Sequence, residues 1–294
     1  MKKSICAGMG LILTMAVTTF GDEEATARVG QSLEKLAENA KSVLVEDRIH
    51  DVFDWYRKLT DFGLTYQPSL MAPNDLVGKL NKEQLRLYAG IKLFDALYAA
   101  TFMKRQDVAD CVRVIEEIQD TLDVRSHADI NNYFLHTLKK AASRPDEVDI
   151  ATLIDQLASD YVRELPALLS SVESADYLID SLYGLFIQKS YIFGAMTSNN
   201  ASWERLREGC IEYPRAEQTK LLLDLFEAFN RLDEDIRISG ETHKKLDVVR
   251  EDHRLSKAAA TRTMTREEAR PHWRAMRQTV IATRNAILTP DAKE

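Results

Sequence analysis

Two stretches of this 294-residue chain are apolar on nearly every side of a helix. A chain carrying two such rods must bury both. Between residues 82 and 104, Leu85, Leu87, Tyr88, Ile91, Leu93, Phe94, Leu97, Tyr98, Phe102 and Met103 cover most of the helical circumference. Between residues 175 and 197, Tyr177, Leu178, Ile179, Leu182, Tyr183, Leu185, Phe186, Ile187, Tyr191, Ile192 and Phe193 do the same. A helix without a polar face belongs in the interior. Lys92, Asp95, Gln188 and Lys189 interrupt the two runs, so neither is the unbroken apolar stretch of about 18 residues that a membrane span needs. The two rods are therefore expected side by side at the centre of a helical bundle.

The remaining segments supply the outer layer. Helical stripes run through residues 26–45, 50–62, 107–124, 127–142, 149–171 and 215–238, and no segment alternates with strand period. The expected fold is all-α, a multi-helix bundle of about nine or ten helices around the two apolar ones. Asn81 with Gln84 forms a capping box that starts the first rod. Asp107 is placed to cap the next helix. Pro166 is expected to kink or interrupt the helix it sits in. Residues 63–81, with Gly63, Pro68, Pro73, Asn74 and Gly78, read as a long packed surface loop. A hydrophobic content of 45% with 11 Gly and 7 Pro excludes collagen-like and disordered chains.

The first residues read as an export signal: Lys2 and Lys3, an uncharged apolar stretch from Ser4 to Phe20, Gly21, then Asp22, Glu23 and Glu24. Cleavage is expected after Gly21, with Ala27 as a second point. The mature protein would be periplasmic or secreted. If the signal stays uncleaved, it would anchor the protein to the inner membrane. Three domains follow: 1–21 the signal peptide, 22–240 the helical bundle, 241–294 a basic helical hairpin or arm. Residues 241–294 hold twelve Lys/Arg against eight Asp/Glu, whereas residues 22–240 hold 25 against 38. After cleavage Cys111 and Cys210 remain. Cys111 aligns with Ile115, Ile118 and Leu122 on one helix face and reads as a small buried hydrophobe, with a Cys111–Cys210 disulfide as the other outcome in an oxidising compartment.

Chemistry leaves few marks. No two His lie four apart, no Glu stands three before a His, and no CxxCH occurs, so no metal or cofactor is expected. GxSxG, GxGxxG and GxxxxGK[ST] are all missing, and such motifs need a strand-to-helix turn that an all-helical chain lacks. No catalytic residue is nominated. Two surfaces remain. Tyr88, Asp95, Tyr98, Tyr183 and Lys189 could line a ligand pocket between the two rods, or Asp95 could form an internal ion pair with Lys92 or Lys189. Arg262, Arg266, Arg270, Arg274, Arg277 and Arg284 lie within about 120° of one another on a continuous helix, by the 100° advance per residue. They form either a solvated basic face or a docking face for an acidic protein or anionic envelope component. Pro271 interrupts that row, and Thr265 with Glu268 could start a fresh helix. Export and overall acidity argue against nucleic acid.

Residues 81–236 resemble uncharacterised all-helical exported proteins, often lipoproteins, of Gram-negative bacteria. The likeness rests on Leu85 to Tyr98 (a Leu-x-x-Tyr-x-x-Asp-Leu-x-Tyr flavour), on the turn Thr121-Leu122-Asp123-Val124, on Leu182-Tyr183-Gly184-Leu185-Phe186-Ile187 and on Glu217-Gln218-Thr219-Lys220. This chain departs from that pattern by lacking a lipidation Cys and a Gly after Leu122. The resemblance implies an exported helical fold and carries over no established activity. The expected function is a non-catalytic interaction or structural protein, and the alternative is a small-ligand binder using the pocket between the rods.

Overall fold

The computed structural model describes residues 31, 34, 65–124, 133–143, 150–196, 219–220, 222–224, 226–227, 242–261 and 266–291. The described residues hold seven α-helices and no strand: α1 (Lys82–Thr101), α2 (Arg105–Thr121), α3 (Tyr133–Ser143), α4 (Ile150–Leu168), α5 (Val172–Met196), α6 (Thr242–Ala260) and α7 (Arg266–Leu288). Residues 219–220, 222–224 and 226–227 are also helical. The helices expected at 26–45 and 50–62, the signal segment and Cys210 lie outside the described residues, apart from the helical Gln31 and Glu34.

The two rods are α1 and α5, and they touch along their backbones. A Cβ built on Gly90 would fall 1.7 Å from the carbonyl oxygen of Ser181, and one built on Gly184 would fall 1.9 Å from that of Leu87. No side chain fits between the helices at these two points. Glycine is required on both rods, because it lets the two backbones pack directly. Around the contact, Tyr88, Ile91, Phe94, Ala96, Tyr98, Phe186 and Ile187 are all essentially inaccessible to water. The core therefore sits on the α1–α5 seam, and the other helices cover its flanks.

The capping box forms as the residue types require. Asn81 Oδ1 accepts from the Gln84 amide at 2.8 Å, and Gln84 Oε1 accepts from the Asn81 amide at 3.1 Å. Gln84 also donates from Nε2 to the carbonyls of Ala286 (3.3 Å) and Thr289 (2.8 Å). One side chain thus closes the start of α1 and the end of α7. In α2, Val108, Cys111, Val112, Ile115 and Ile118 are buried at steps of three and four. Cys111 is a free thiol, fully buried, and burial pushes its pKa up to about 12.

Two expectations change. The cap of α2 is Lys104, which makes no side-chain cap bond, and Asp107 lies in the first turn, where it accepts from the Tyr66 phenol at 2.7 Å. Pro166 does not interrupt α4, which continues to Leu168. Residues 266–288, the second helix of the expected hairpin or arm, pack on the rods. α7 runs from Arg266 to Leu288, carries Pro271 inside it, and buries Met276, Val280 and Ile287 in the same core as α1 and α5. The acidic body and the basic end differ in composition but share one interior.

The seam yields a direct test. Gly90→Ala and Gly184→Ala should each destabilise the protein by about 3 kcal/mol or more, because the methyl would have to push one backbone off the other. Gly78→Ala meets nothing within 4 Å and should be near neutral. Urea midpoints of the three variants check this.

Candidate functional site

Residues 65–81 lie on the seam as irregular chain with two short 3₁₀ turns, Pro68–Leu70 and Val77–Lys79. Leu70, Ala72, Leu76, Val77 and Leu80 are buried. Irregular backbone inside a core carries N–H and C=O groups that no helix ladder serves. Six polar side chains of the helices serve them here.

Asp95, on α1, accepts the Ala72 amide at Oδ2 (2.9 Å) and the Gln188 side-chain amide at Oδ1 (2.6 Å). Lys92, one turn earlier, donates to the Ala72 carbonyl at 2.5 Å and to Asp95 Oδ2 at 3.3 Å. Gln188, on α5, also donates to the Leu70 carbonyl at 3.0 Å. Arg284, on α7, donates from Nε to Gln188 Oε1 at 2.6 Å and from Nη2 to the Leu70 carbonyl at 3.4 Å. Its guanidinium lies 4.1 Å from the centre of the Tyr191 ring. Tyr88 donates to the Pro73 carbonyl, and the Tyr98 phenol oxygen accepts the Gln67 amide at 2.8 Å. Lys92, Asp95 and Gln188 are wholly inaccessible to water. Burial pushes the Asp95 carboxyl up, while Lys92 and the Ala72 and Gln188 donors pull it back down. Burial likewise lowers the Arg284 pKa.

The sequence-nominated residues divide accordingly. Tyr88, Asp95 and Tyr98 converge, but on the chain's own backbone rather than on a cavity. The gap expected between the rods is closed by the glycine contacts and by residues 65–81. Tyr183 packs edge-on to Phe226, 6.1 Å between ring centres, and burial raises its phenol. From α5 the bond to Asp95 comes from Gln188, whereas Lys189 next to it is half-buried. Arg262 lies outside the described residues, as do the side chains of Arg266 and Arg270. Arg274 and Arg277 are exposed. Arg284 is not on that face: it is only 8% exposed and belongs to the network. A signal for this was present, since Met276, Val280, Arg284 and Ile287 follow one another at steps of four, four and three, the buried stripe of α7.

A second cluster was not nominated. Asp180 accepts from Arg86 Nε at 2.7 Å and from Lys245 Nζ at 2.5 Å, and Lys245 also reaches Glu83 at 3.3 Å. These residues tie α6 to α1 and α5. Asp176, one turn before Asp180, keeps Oδ1 buried without a hydrogen-bond partner among the described residues. Burial pushes its carboxyl up to about 6, with the Asp180 charge adding to the rise and Arg86 opposing it. The signal was a carboxylate inside the apolar run Tyr177-Leu178-Ile179-Asp180-Ser181-Leu182. On α4, Glu164 accepts the Phe134 amide at 3.1 Å and Asp160 accepts the Thr137 hydroxyl at 2.6 Å. No group of three or more His, Cys, Asp or Glu suited to a metal occurs among the described residues. Comparison of the chain with known protein families, with curated proteins and with solved structures returns no match.

The network predicts unequal costs within one row of arginines. Arg284→Ala should lose about 2–4 kcal/mol, because Gln188 Oε1 and the Leu70 carbonyl are left short of donors in the interior. Arg274→Ala and Arg277→Ala should stay within about 0.5 kcal/mol of the parent. Thermal or denaturant melts of the three variants decide it.

Asp176 predicts a pH dependence. Its folded-state pKa is above the ordinary 3.8, so the folded state holds the proton more tightly. Its contribution therefore falls as pH rises from the normal carboxylate range through about 6, and the full cost is present above that. Asp176→Asn should be more stable than the parent at pH 8, by on the order of 1–2 kcal/mol since water reaches part of the carboxyl. The difference should shrink towards pH 4. Urea midpoints at the two pH values measure it.

Proposed function

We propose that this protein is an exported, non-catalytic helical protein that acts through its surface. One observation carries the reading. Lys92, Asp95, Gln188 and Arg284, the polar groups set into the apolar centre, are bonded to one another and to the backbone of residues 70–72. A catalytic or ligand-binding constellation presents such groups to a cleft. Here they hold the fold together. The network is a structural clamp, and recognition is left to the exterior.

The partner-facing surface is the outer side of α7. Arg274, Arg277 and Gln278 are exposed there, and Arg266 and Arg270 precede them in sequence on the same helix. The Arg277 stem lies over Gly194 of α5, with Cγ 3.7 Å from where a Cβ on that glycine would stand. The partner chemistry that fits is an acidic protein segment. The export reading is supported by Lys2, Lys3 and the apolar stretch from Ser4 to Phe20, and agrees with the resemblance to exported helical proteins. No described helix is long and apolar enough to cross a membrane.

Two measurements test the proposal. Protein recovered from the envelope of the producing bacterium should have the mass of the chain lacking residues 1–21; a full-length mass in the cytoplasmic fraction would refute export. A photo-crosslinking residue at Gln278 should give a discrete adduct in cells. That adduct should be lost in Arg274→Glu/Arg277→Glu without a change in melting temperature. An adduct pattern indifferent to the charge reversal would remove the basic face from the proposal.

A further inference from the structure

The junction of α1, α5 and α6 encloses one carboxylate too many for its cations. Asp180 of α5 accepts from Arg86 of α1 and from Lys245 of α6, and Lys245 also reaches Glu83 of α1. Asp180 and Lys245 are both buried. Asp176 stands one turn before Asp180 on the same helix, a spacing at which like charges repel. Its Oδ1 is buried and has no hydrogen-bond partner among the described residues. Three carboxylates therefore meet two cations. The junction is balanced with one added proton and carries an excess negative charge without it.

The geometry puts that proton on Asp176. Asp180 has a cation on each oxygen, Lys245 on Oδ1 and Arg86 on Oδ2. Glu83 pairs with Lys245 and is partly open to water. Asp176 has neither a bonded cation nor full hydration. The charged groups that face it are Arg86 from α1, Lys245 from α6, and Asp180 and Glu173 on its own helix. Burial, Asp180 and Glu173 oppose its charge, and they outweigh the attraction of Arg86 and Lys245. The three helices do not bear the excess charge equally. α1 and α5 are locked together at Gly90 and Gly184 and share the clamp around Asp95 and Gln188. α6 reaches both rods through Lys245, one of the two cations that an ionised Asp176 attracts.

We propose that this junction is a proton-operated latch on α6. With a proton on Asp176 the junction is balanced and Lys245 stays on Asp180. Loss of that proton leaves a buried charge with no bonded partner, and the cheapest relief is for α6 to lift and let water in. The latched state holds the proton more tightly than an opened one, in which Asp176 is hydrated. Docking of α6 is therefore strongest below the raised carboxyl range and weakens as pH climbs through about 6. The stability change at Asp176 says only that its charge is costly, whereas the latch says which element gives way. Neither export nor the acidic-partner reading is needed for it.

The test is amide hydrogen exchange of the full-length chain, read by mass spectrometry on peptides from α6 and from α1. Parent and Asp176→Asn are compared at the same pH, so that the titration of His253, on α6 beside Thr219, cancels. At pH 5 Asp176 keeps its proton, and α6 should exchange alike in the two proteins. At pH 8 α6 should exchange at least about fivefold faster in the parent. The ceiling is about a hundredfold, set by a carboxyl raised from 3.8 to about 6. α1 should exchange more slowly than α6 in both proteins. Glu173→Gln removes an exposed neighbouring charge and should exchange like the parent. Equal α6 rates in parent and Asp176→Asn at pH 8 would overturn the proposal. So would α6 rates no faster than those of α1, since α6 would then open only with the whole protein. An equal slowing by Glu173→Gln would also overturn it, as a response to net charge alone.

Discussion

An irregular segment placed inside a core must find a partner for each buried amide and carbonyl, and that constraint organises this protein. Residues 65–81 cannot use a helix ladder, so their backbone is served from outside. The Ala72 amide goes to Asp95, the Ala72 carbonyl to Lys92, the Leu70 carbonyl to Gln188 and Arg284, and the Gln67 amide to Tyr98. Each of these side chains would be a liability if the segment were absent. A buried, unpaired Asp95 or Lys92 costs several kcal/mol. The segment and the polar positions of the rods therefore require each other, and neither is an accessory.

The same constraint explains why Arg284 is in the interior. It reaches across 214 residues of sequence to the Leu70 carbonyl and across 96 to Gln188. It also stacks on Tyr191. Arginine suits this position because its planar, multi-donor head can serve two acceptors while one face rests on an aromatic ring. α7 is consequently joined to the seam by a polar clamp as well as by Met276, Val280 and Ile287. Its far end is closed by Gln84, the residue that caps α1. The start of one helix and the end of another thus share a single amide.

Much of this was legible before the fold was seen, for local reasons. The two rods announce themselves by apolar residues all round, and α1 and α5 occupy nearly the predicted spans. The capping box at Asn81 and Gln84 depends on a spacing of three and is read from four residues. The loop at 63–81 is marked by its Pro and Gly content. What failed to show was long-range. Nothing within residues 82–104 says that Asp95 binds Ala72 rather than a ligand, because that depends on where a segment some twenty residues earlier is folded. Gly90 and Gly184 looked ordinary in the sequence, and only the facing carbonyls of Ser181 and Leu87 make them obligatory. The change of charge balance at residue 240 records composition but not which side of a helix each charge occupies.

That charge asymmetry has a structural meaning of its own. The acidic body and the basic end are complementary, and part of the complementarity is used internally. Lys245 bridges Asp180 and Glu83, and Arg250 lies 3.7 Å from Glu227. These pairs draw their cations from the last segment and their carboxylates from earlier ones, while Arg86–Asp180 and Lys139–Glu116 join earlier helices to one another. Mutual attraction favours docking of the C-terminal helices onto the rest. Yet attraction of this kind is weakly directional, and register must come from elsewhere. Arg284 supplies it at one point and Gln84 at another, through hydrogen bonds whose geometry tolerates little displacement. The basic end is held in place by charge and set in register by hydrogen bonds. The interior cannot be completed until a segment more than 200 residues from Leu70 has docked. Contacts of that sequence separation form late and at high entropic cost, so the seam and its polar clamp should form as one cooperative unit rather than helix by helix.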